Sequence, residues 1–149
     1  MKINHILLTL ILMAGIQLAA NAQLRLGAGL GYGTDIEELG LQLRGVYTIS
    51  DPWRGAADFV FYFDGVEDLS IWELNLNAHY AFITDEKKTV YALAGLNFLK
   101  FNYDASSTFA DNSDTGLNLG AGLELPISGP FEFFSEARIT LGGSDQFFI

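Results

Sequence analysis

The apolar positions between Ser70 and Phe82 alternate with polar ones. They are aromatic at both ends and aliphatic or small between: Trp72, Leu74, Leu76, Ala78, Tyr80 and Phe82. Glu73, Asn75, Asn77 and His79 separate them. Side chains alternate across a strand, so the two sets lie on opposite faces. Aromatic rings favour both membrane interfaces, and ten residue steps of about 3.3 Å, tilted by roughly 45°, cover about 23 Å of bilayer. The stretch predicts a transmembrane β-strand with a polar face toward a barrel interior.

Comparable strand patterns recur along the rest of the chain. Further strands are predicted at 24–32, 39–49, 57–63, 89–103, 115–125, 131–141 and 145–149. Polar or turn-forming connections separate them. The 89–103 stretch is apolar on both faces, so its lipid-facing side stays unassigned, and Gly95 is a candidate bulge that would switch faces. An even number of strands closes an antiparallel barrel, and the sequence therefore predicts an all-β, eight-stranded, up-and-down transmembrane β-barrel.

Residues 1–22 have the pattern of a secretory signal peptide. Lys2 supplies the positive end, an apolar run covers 6–18, and small residues flank Asn21 before Gln23. The run is shorter than the ~20 apolar residues that a membrane-spanning helix needs. We therefore expect export and cleavage before Gln23, which leaves 23–149 as one outer-membrane barrel domain.

Composition narrows the possible chemistry. The chain has no cysteine, which excludes a lipoprotein anchor, disulfides and thiolate sites. Its formal net charge of −10 repels phosphate backbones and argues against a nucleic-acid partner. With a periplasmic N-terminus, the connections at 50–54, 84–88 and 128–130 face the periplasm. Those at 34–38, 64–69 and 104–114 face outside, where they offer a surface for an unknown ligand.

Three segments carry a family resemblance: the first strand L-R-L-G-A-G-L-G-Y-G, the later E-F-F-S-E-A-R, and the aromatic end Q-F-F-I. With the strand pattern over 23–149, they resemble the small outer-membrane β-barrel proteins of Gram-negative bacteria. That family includes the OmpX and OmpA-transmembrane type and the broader outer membrane protein beta-barrel domain family. The resemblance implies a monomer in outer-membrane lipid, inserted by the barrel-assembly machinery.

Two features depart from that family pattern. The family usually ends on an aromatic residue, whereas this chain ends on Ile149. The last strand has about five residues, and a full crossing takes ~9–11. A closed barrel needs its last strand to pair along the first. We therefore expect a chain that stops within its eighth strand rather than a barrel closed by a short one.

The predicted inward face carries nine charged or titratable residues: Arg25, Arg44, Asp58, Glu73, His79, Glu124, Glu132, Glu136 and Arg138. An eight-stranded barrel has an interior just wide enough for side chains to fill, and charges there must be paired or hydrated. A filling ion-pair network is favoured over a narrow ion pathway. The predicted lipid-facing aromatic girdle consists of Tyr32, Tyr47, Trp72, Tyr80, Phe82, Phe131 and Phe133.

Candidate catalytic and cofactor sites are weak. His79 is the only histidine after cleavage and has no Ser or Asp partner at a recognisable spacing, so a hydrogen-bonded lumen histidine is expected rather than catalysis. The alternating glycines of the first strand lack the helix that a dinucleotide loop requires. Asp104 and the 111–114 segment offer oxygen atoms for loose calcium binding, but without the EF-hand spacing. No catalytic, cofactor or metal residue is predicted.

Three functional classes stay open. The favoured class is a non-enzymatic outer-membrane barrel with a structural or surface-contact role. A small porin-like channel is the second, and a secreted lipocalin-like barrel that binds an apolar ligand is the third. A lipocalin would have an apolar inward face, whereas the aromatic–aliphatic–aromatic layout of 72–82 favours lipid outside.

Overall fold

The computed structural model describes residues 15–63, 65, 69–103, 112–142 and 145–149. These residues form antiparallel strands joined by turns. The strands are β1 (Gly15–Ala19), β2 (Leu24–Gly33), β3 (Glu38–Ser50), β4 (Trp53–Tyr62), β5 (Leu69–Thr84), β6 (Thr89–Tyr103), β7 (Asn112–Ser128), β8 (Phe131–Leu141) and β9 (Gln146–Phe148). None of the described residues belongs to a helix long and apolar enough to cross a membrane.

Each strand pairs with the next along the chain, and the sheet closes on itself. β8 pairs with both β1 and β9, and each of these also pairs with β2. β1 and β9 lie in line and share one place between β2 and β8, so nine strand segments occupy eight positions in the ring. The predicted eight-stranded antiparallel barrel is confirmed. We call the end with the 34–37 connection the outer end, and the opposite end the inner end.

The shared place differs from the predicted eighth strand. Toward the outer end, Phe148 pairs with Arg138 of β8 and Gly33 of β2. Toward the inner end, Gly15 pairs with Phe134 and Gly29. The inner part of the wall thus contains residues assigned by sequence to the signal peptide. Cleavage before Gln23 stays a prediction.

Burial alternates along the strands as the sequence pattern predicts. On β7, Leu117 is 57% exposed on the outside of the barrel, whereas the neighbouring Asn118 is 1% exposed and points inward. The same alternation holds on β3 and β5, where leucines and aromatic rings face outward. The barrel therefore has an apolar outer surface and a mostly polar interior, with a cluster of buried apolar side chains near its outer end that includes Val60, Ile71 and Leu99.

Strand β6 corrects one prediction. Tyr91, Leu93 and Leu99 are buried on its inward face, and its register with β5 is continuous through Gly95. The bulge predicted at Gly95 is wrong, because the register shift on this pair lies in β5 between Ala81 and Ile83. Gly95 serves close packing instead. A Cβ atom there would overlap the Leu76 carbonyl and the Asn77 side chain.

Strand β4 begins earlier than predicted. The turn after β3 is confined to Asp51 and Pro52, and Trp53 already pairs with Ser50. Arg54, which the sequence analysis assigned to the turn, therefore lies on β4 with its side chain in the barrel. Of the predicted outer connections, residues 64, 66–68 and 104–111 lie outside the described residues, whereas 112–114 belong to β7.

Candidate functional site in the barrel lumen

The lumen is the candidate site because buried polar side chains from several strands converge there. Seven of the nine predicted lumen residues are buried: Arg44, Asp58, Glu73, His79, Glu124, Glu136 and Arg138. Arg25 and Glu132 lie at the inner rim instead, 3.3 Å apart, with side chains 24% and 22% exposed. Alternation along a strand predicts which residues point inward, but it does not predict how close each of them lies to the end of the barrel. These two residues were therefore predicted on the correct face, but at the wrong depth.

The outer half of the lumen is organised around the Glu73 carboxylate. It accepts hydrogen bonds from Arg138 Nη2, Tyr62 Oη and Asn75 Nδ2, each at 2.7 Å. A fourth bond comes from Gln146 Nε2 of β9 at 3.2 Å. The Arg138 guanidinium also stacks over the Phe148 ring, 4.0 Å from its centroid. Charge-assisted bonds of this kind are the strong ones, so the cluster ties β9 to β4, β5 and β8.

An amide layer crosses the middle of the barrel. Asn118 donates to Asn75 Oδ1 at 2.7 Å and to Asn77 Oδ1 at 3.0 Å. Asn97 donates to Asn75 Oδ1 at 2.8 Å, and Thr140 donates to Asn118 Oδ1 at 2.8 Å. Buried amides are costly unless their hydrogen bonds are made, and this layer satisfies them among neighbouring strands.

The inner half contains a second charged cluster. Tyr91 donates to Glu136 Oε2 at 2.7 Å, and Arg44 Nη2 lies 3.8 Å from the same oxygen. Arg54 pairs with Glu124 at 2.7 Å. Opposite charges lie side by side here, which offsets the desolvation of each.

His79 is placed inside this inner cluster. Its ring stacks on Tyr91 with centroids 4.2 Å apart, and its Nε2 lies 3.9 Å from Glu136, too far for a hydrogen bond. Neither ring nitrogen has a hydrogen-bond partner among the described residues. The expected hydrogen-bonded lumen histidine is therefore not what the structure has. No serine is therefore hydrogen-bonded to His79 among the described residues.

Several further buried lumen residues were not among the candidates predicted from the sequence: Gln17, Arg54, Tyr62, Tyr91, Asn97, Thr140 and Gln146. Arg54 was hidden by the turn signal at Asp51-Pro52, although stepping back in twos from Asp58 reaches it. Tyr62 lies on the face of Asp58 by the same count in twos, but only charged or titratable positions of that face were chosen as candidates. Tyr91 stands in a stretch where both faces carry apolar residues, so alternation gave no signal for it.

Aromatic side chains form bands on the outer surface. Near the outer end, Trp72 stacks on Phe59 with centroids 5.6 Å apart. Near the inner end, Trp53 and Tyr80 meet edge to face at 5.0 Å. Every predicted girdle residue lies on the outward face; Tyr47, Tyr80, Phe82 and Phe131 are exposed, and Tyr32, Trp72 and Phe133 are half-buried. Among the described residues, no group of acidic or histidine side chains has the arrangement of a metal site.

A closed antiparallel ring that is polar inside, apolar outside and banded with aromatic rings defines a transmembrane β-barrel. A family model described as the outer membrane protein beta-barrel domain matches residues 6–145, and the chain belongs to this family. Among solved structures, the chain is similar to the crystal structure of Ail, the attachment invasion locus protein of Yersinia pestis. The two are 18% identical, with a TM-score of 0.43, over 91% of this chain and 96% of that one. No curated protein matches the chain.

Proposed function

We propose that this outer-membrane barrel is a non-enzymatic, monomeric protein with a side-chain-filled lumen, and that it acts through the connections at its outer end. The observation that carries the proposal is the Glu73–Arg138 cluster across the lumen. The guanidinium and the carboxylate bind one another and their neighbours, so these two charges hold the strands together inside the lumen instead of lining an open path for ions.

The lumen contents also separate this proposal from its alternatives. A lipocalin-like binder of apolar ligands needs an apolar cavity, whereas here charged and amide side chains occupy most of the inward faces, and the inward apolar side chains near the outer end pack against one another. A porin-like channel needs a continuous wet path, whereas the amide layer of Asn75, Asn97 and Asn118 spans neighbouring strands in the middle of the barrel. A lipid-modifying enzyme with a histidine-activated serine needs a hydrogen bond between the two side chains, and neither ring nitrogen of His79 has a hydrogen-bond partner among the described residues.

The connections at the outer end are the part of the barrel that we propose contacts other molecules. The outer connections at 34–38, 64–69 and 104–114 are rich in Asp and Glu. We propose that they meet a surface ligand, after export through residues 1–22 and insertion by the barrel-assembly machinery. Asp104→Asn with Asp111→Asn, which neutralises two acids of the longest outer connection, should keep a folded barrel and reduce attachment of expressing cells to positively charged surfaces. Unchanged attachment would argue against this role of the loop.

Conductance in planar bilayers tests the filled lumen. The parent protein should give no steady channels, and Arg138→Leu should also stay closed, because neighbouring side chains still crowd the lumen. Arg25→Leu at the inner rim is the matched control, since it removes an arginine without touching the outer cluster. Steady conductance by the parent protein would favour the small-porin alternative, and a change with Arg138→Leu but not with Arg25→Leu would indicate that ions pass the outer cluster.

A further inference from the structure

Two separate segments, β1 and β9, lie between β2 and β8, whereas each of the other seven positions in the described ring is filled by a single strand. β9 fills its outer part, and β1 fills the part between Arg25–Gly29 of β2 and Phe131–Phe134 of β8. We call this second part the inner slot. Its two edges are strands whose other sides are already paired with β3 and β7.

The inner slot is bonded to its occupant on both sides. Five residue pairs join β1 to β2, and four join it to β8. At the inner end, the Ala19 amide donates to the Pro130 carbonyl at 3.0 Å. The Asn21 side chain accepts from the Gln23 and Leu24 amides, both at 2.9 Å, and shapes the turn into β2. Without an occupant, both edges would expose unpaired backbone groups to hydrocarbon, where no water can satisfy them.

The side chains of β1 match the two environments of the slot. Ile16 and Leu18 face the lipid side and are 55% and 40% exposed. Gln17 faces the lumen, is 1% exposed, and donates to Glu132 Oε2 at 2.8 Å. Gly15 lies beneath Phe134, where a Cβ atom would overlap the ring. The order of residues 15–18, which is small, apolar, amide and apolar, therefore fits the slot in one register.

We propose that the inner slot is a strand-acceptor site, and that residues 15–19 are its donor strand in the unprocessed chain. The site takes an extended segment through backbone pairing on both edges, with specificity from the alternating pockets, as in strand addition to an open sheet edge. The predicted cleavage before Gln23 falls in the turn between β1 and β2. Cleavage would therefore release the covalent hold on this donor.

Engineered disulfides test whether residues 15–19 occupy the slot. The full chain has no cysteine, so the only thiols of a double variant are the two introduced ones, and a reduction-sensitive monomer band on a gel distinguishes the intended bond from a crosslink between two chains. Ile16→Cys with Phe133→Cys joins directly paired positions and should crosslink in the refolded full chain under mild oxidation. Ile16→Cys with Ile139→Cys is the control, because Ile139 lies on the same face of β8, six residues further along. We expect at least tenfold faster crosslinking of the first pair, and equal rates would overturn the proposal.

A composition-matched swap tests the specificity of the acceptor. In the full chain, Gln17→Leu with Leu18→Gln puts an apolar side chain in the lumen and an amide in lipid. This variant should lose the heat-dependent gel shift of a closed barrel. A synthetic peptide of residues 13–22 should restore the shift, and the swapped peptide should not. A variant that folds like the parent, or equal rescue by both peptides, would contradict a pattern-specific acceptor.

Discussion

Removal of the Glu73 carboxylate should strongly destabilise the barrel. Glu73 is fully buried and accepts four hydrogen bonds, one of them from the Arg138 guanidinium at 2.7 Å. A hydrogen bond to a charged group contributes about 1.5–3 kcal/mol, and a neutral one about 0.5–1.5 kcal/mol. In Glu73→Leu, Arg138 keeps Glu136 at 3.3 Å as a partial partner. We therefore expect a loss of about 3–5 kcal/mol in the free energy of unfolding, the range for breaking a buried ion pair.

Urea unfolding in lipid vesicles measures this loss through the fluorescence of Trp53 and Trp72, both on the outer surface. For a slope of about 1–3 kcal/mol per molar urea, the midpoint should fall by about 1 M or more. Glu86→Leu is the control, since it removes a carboxylate that is exposed in the turn between β5 and β6, and such a surface substitution should cost at most about 0.5 kcal/mol.

The double variant Glu73→Leu with Arg138→Met separates the pair from its surroundings. A buried pair replaced by apolar residues of similar volume is often neutral, so the double variant should recover much of the stability lost by Glu73→Leu. The reasoning is refuted if Glu73→Leu costs no more than Glu86→Leu. A double variant less stable than Glu73→Leu would show that Arg138 contributes mainly through its other contacts.

Three further predictions concern the two faces of the wall. Leu119→Arg, in the middle of the lipid face of β7, should lower the free energy of unfolding in urea titrations by about 2–4 kcal/mol. Ile127→Arg, near the inner end of β7, should lower it by only about 0–1 kcal/mol, and equal losses would argue against a lipid-facing β7. Gly122→Val should cost about 1–3 kcal/mol, because a Cβ atom there overlaps the Tyr91 ring; unchanged stability would refute that packing. A double-mutant cycle on Phe59 and Trp72 should give about 0.5–1.5 kcal/mol of coupling, and zero coupling would contradict their stacking.

The sequence was most informative where the two faces of a strand meet different surroundings. Leu117 and Leu119 alternate with Asn118 and Gly120 because lipid and a crowded polar lumen select different side chains. β8 was predicted with the bounds that the structure has. The strand count, the direction of each predicted girdle residue and the polar interior follow from this contrast.

Other features depend on relations that alternation does not encode. The Glu73–Arg138 pair joins residues 65 apart, and only the register of the whole ring brings them together. On β6, the inward residues Tyr91 and Leu93 are aromatic and aliphatic, like several outward residues of the same strand. The hydrophobic contrast between the two faces of β6 is therefore lost in the sequence. Residues 15–19 have a leader-like composition, and their place in the wall follows from the two edges that they meet.

Quenching of tryptophan fluorescence by brominated lipids tests the central claim, a barrel with its apolar aromatic surface toward lipid. Trp53 and Trp72 lie on that outer surface near opposite ends of the barrel, so single-tryptophan proteins (Trp53→Phe or Trp72→Phe) report on each band separately. The account predicts strong quenching of both by bromines placed near the headgroups, with less quenching from the bilayer centre. A vesicle-bound, folded protein whose tryptophans escape quenching at every depth would contradict it.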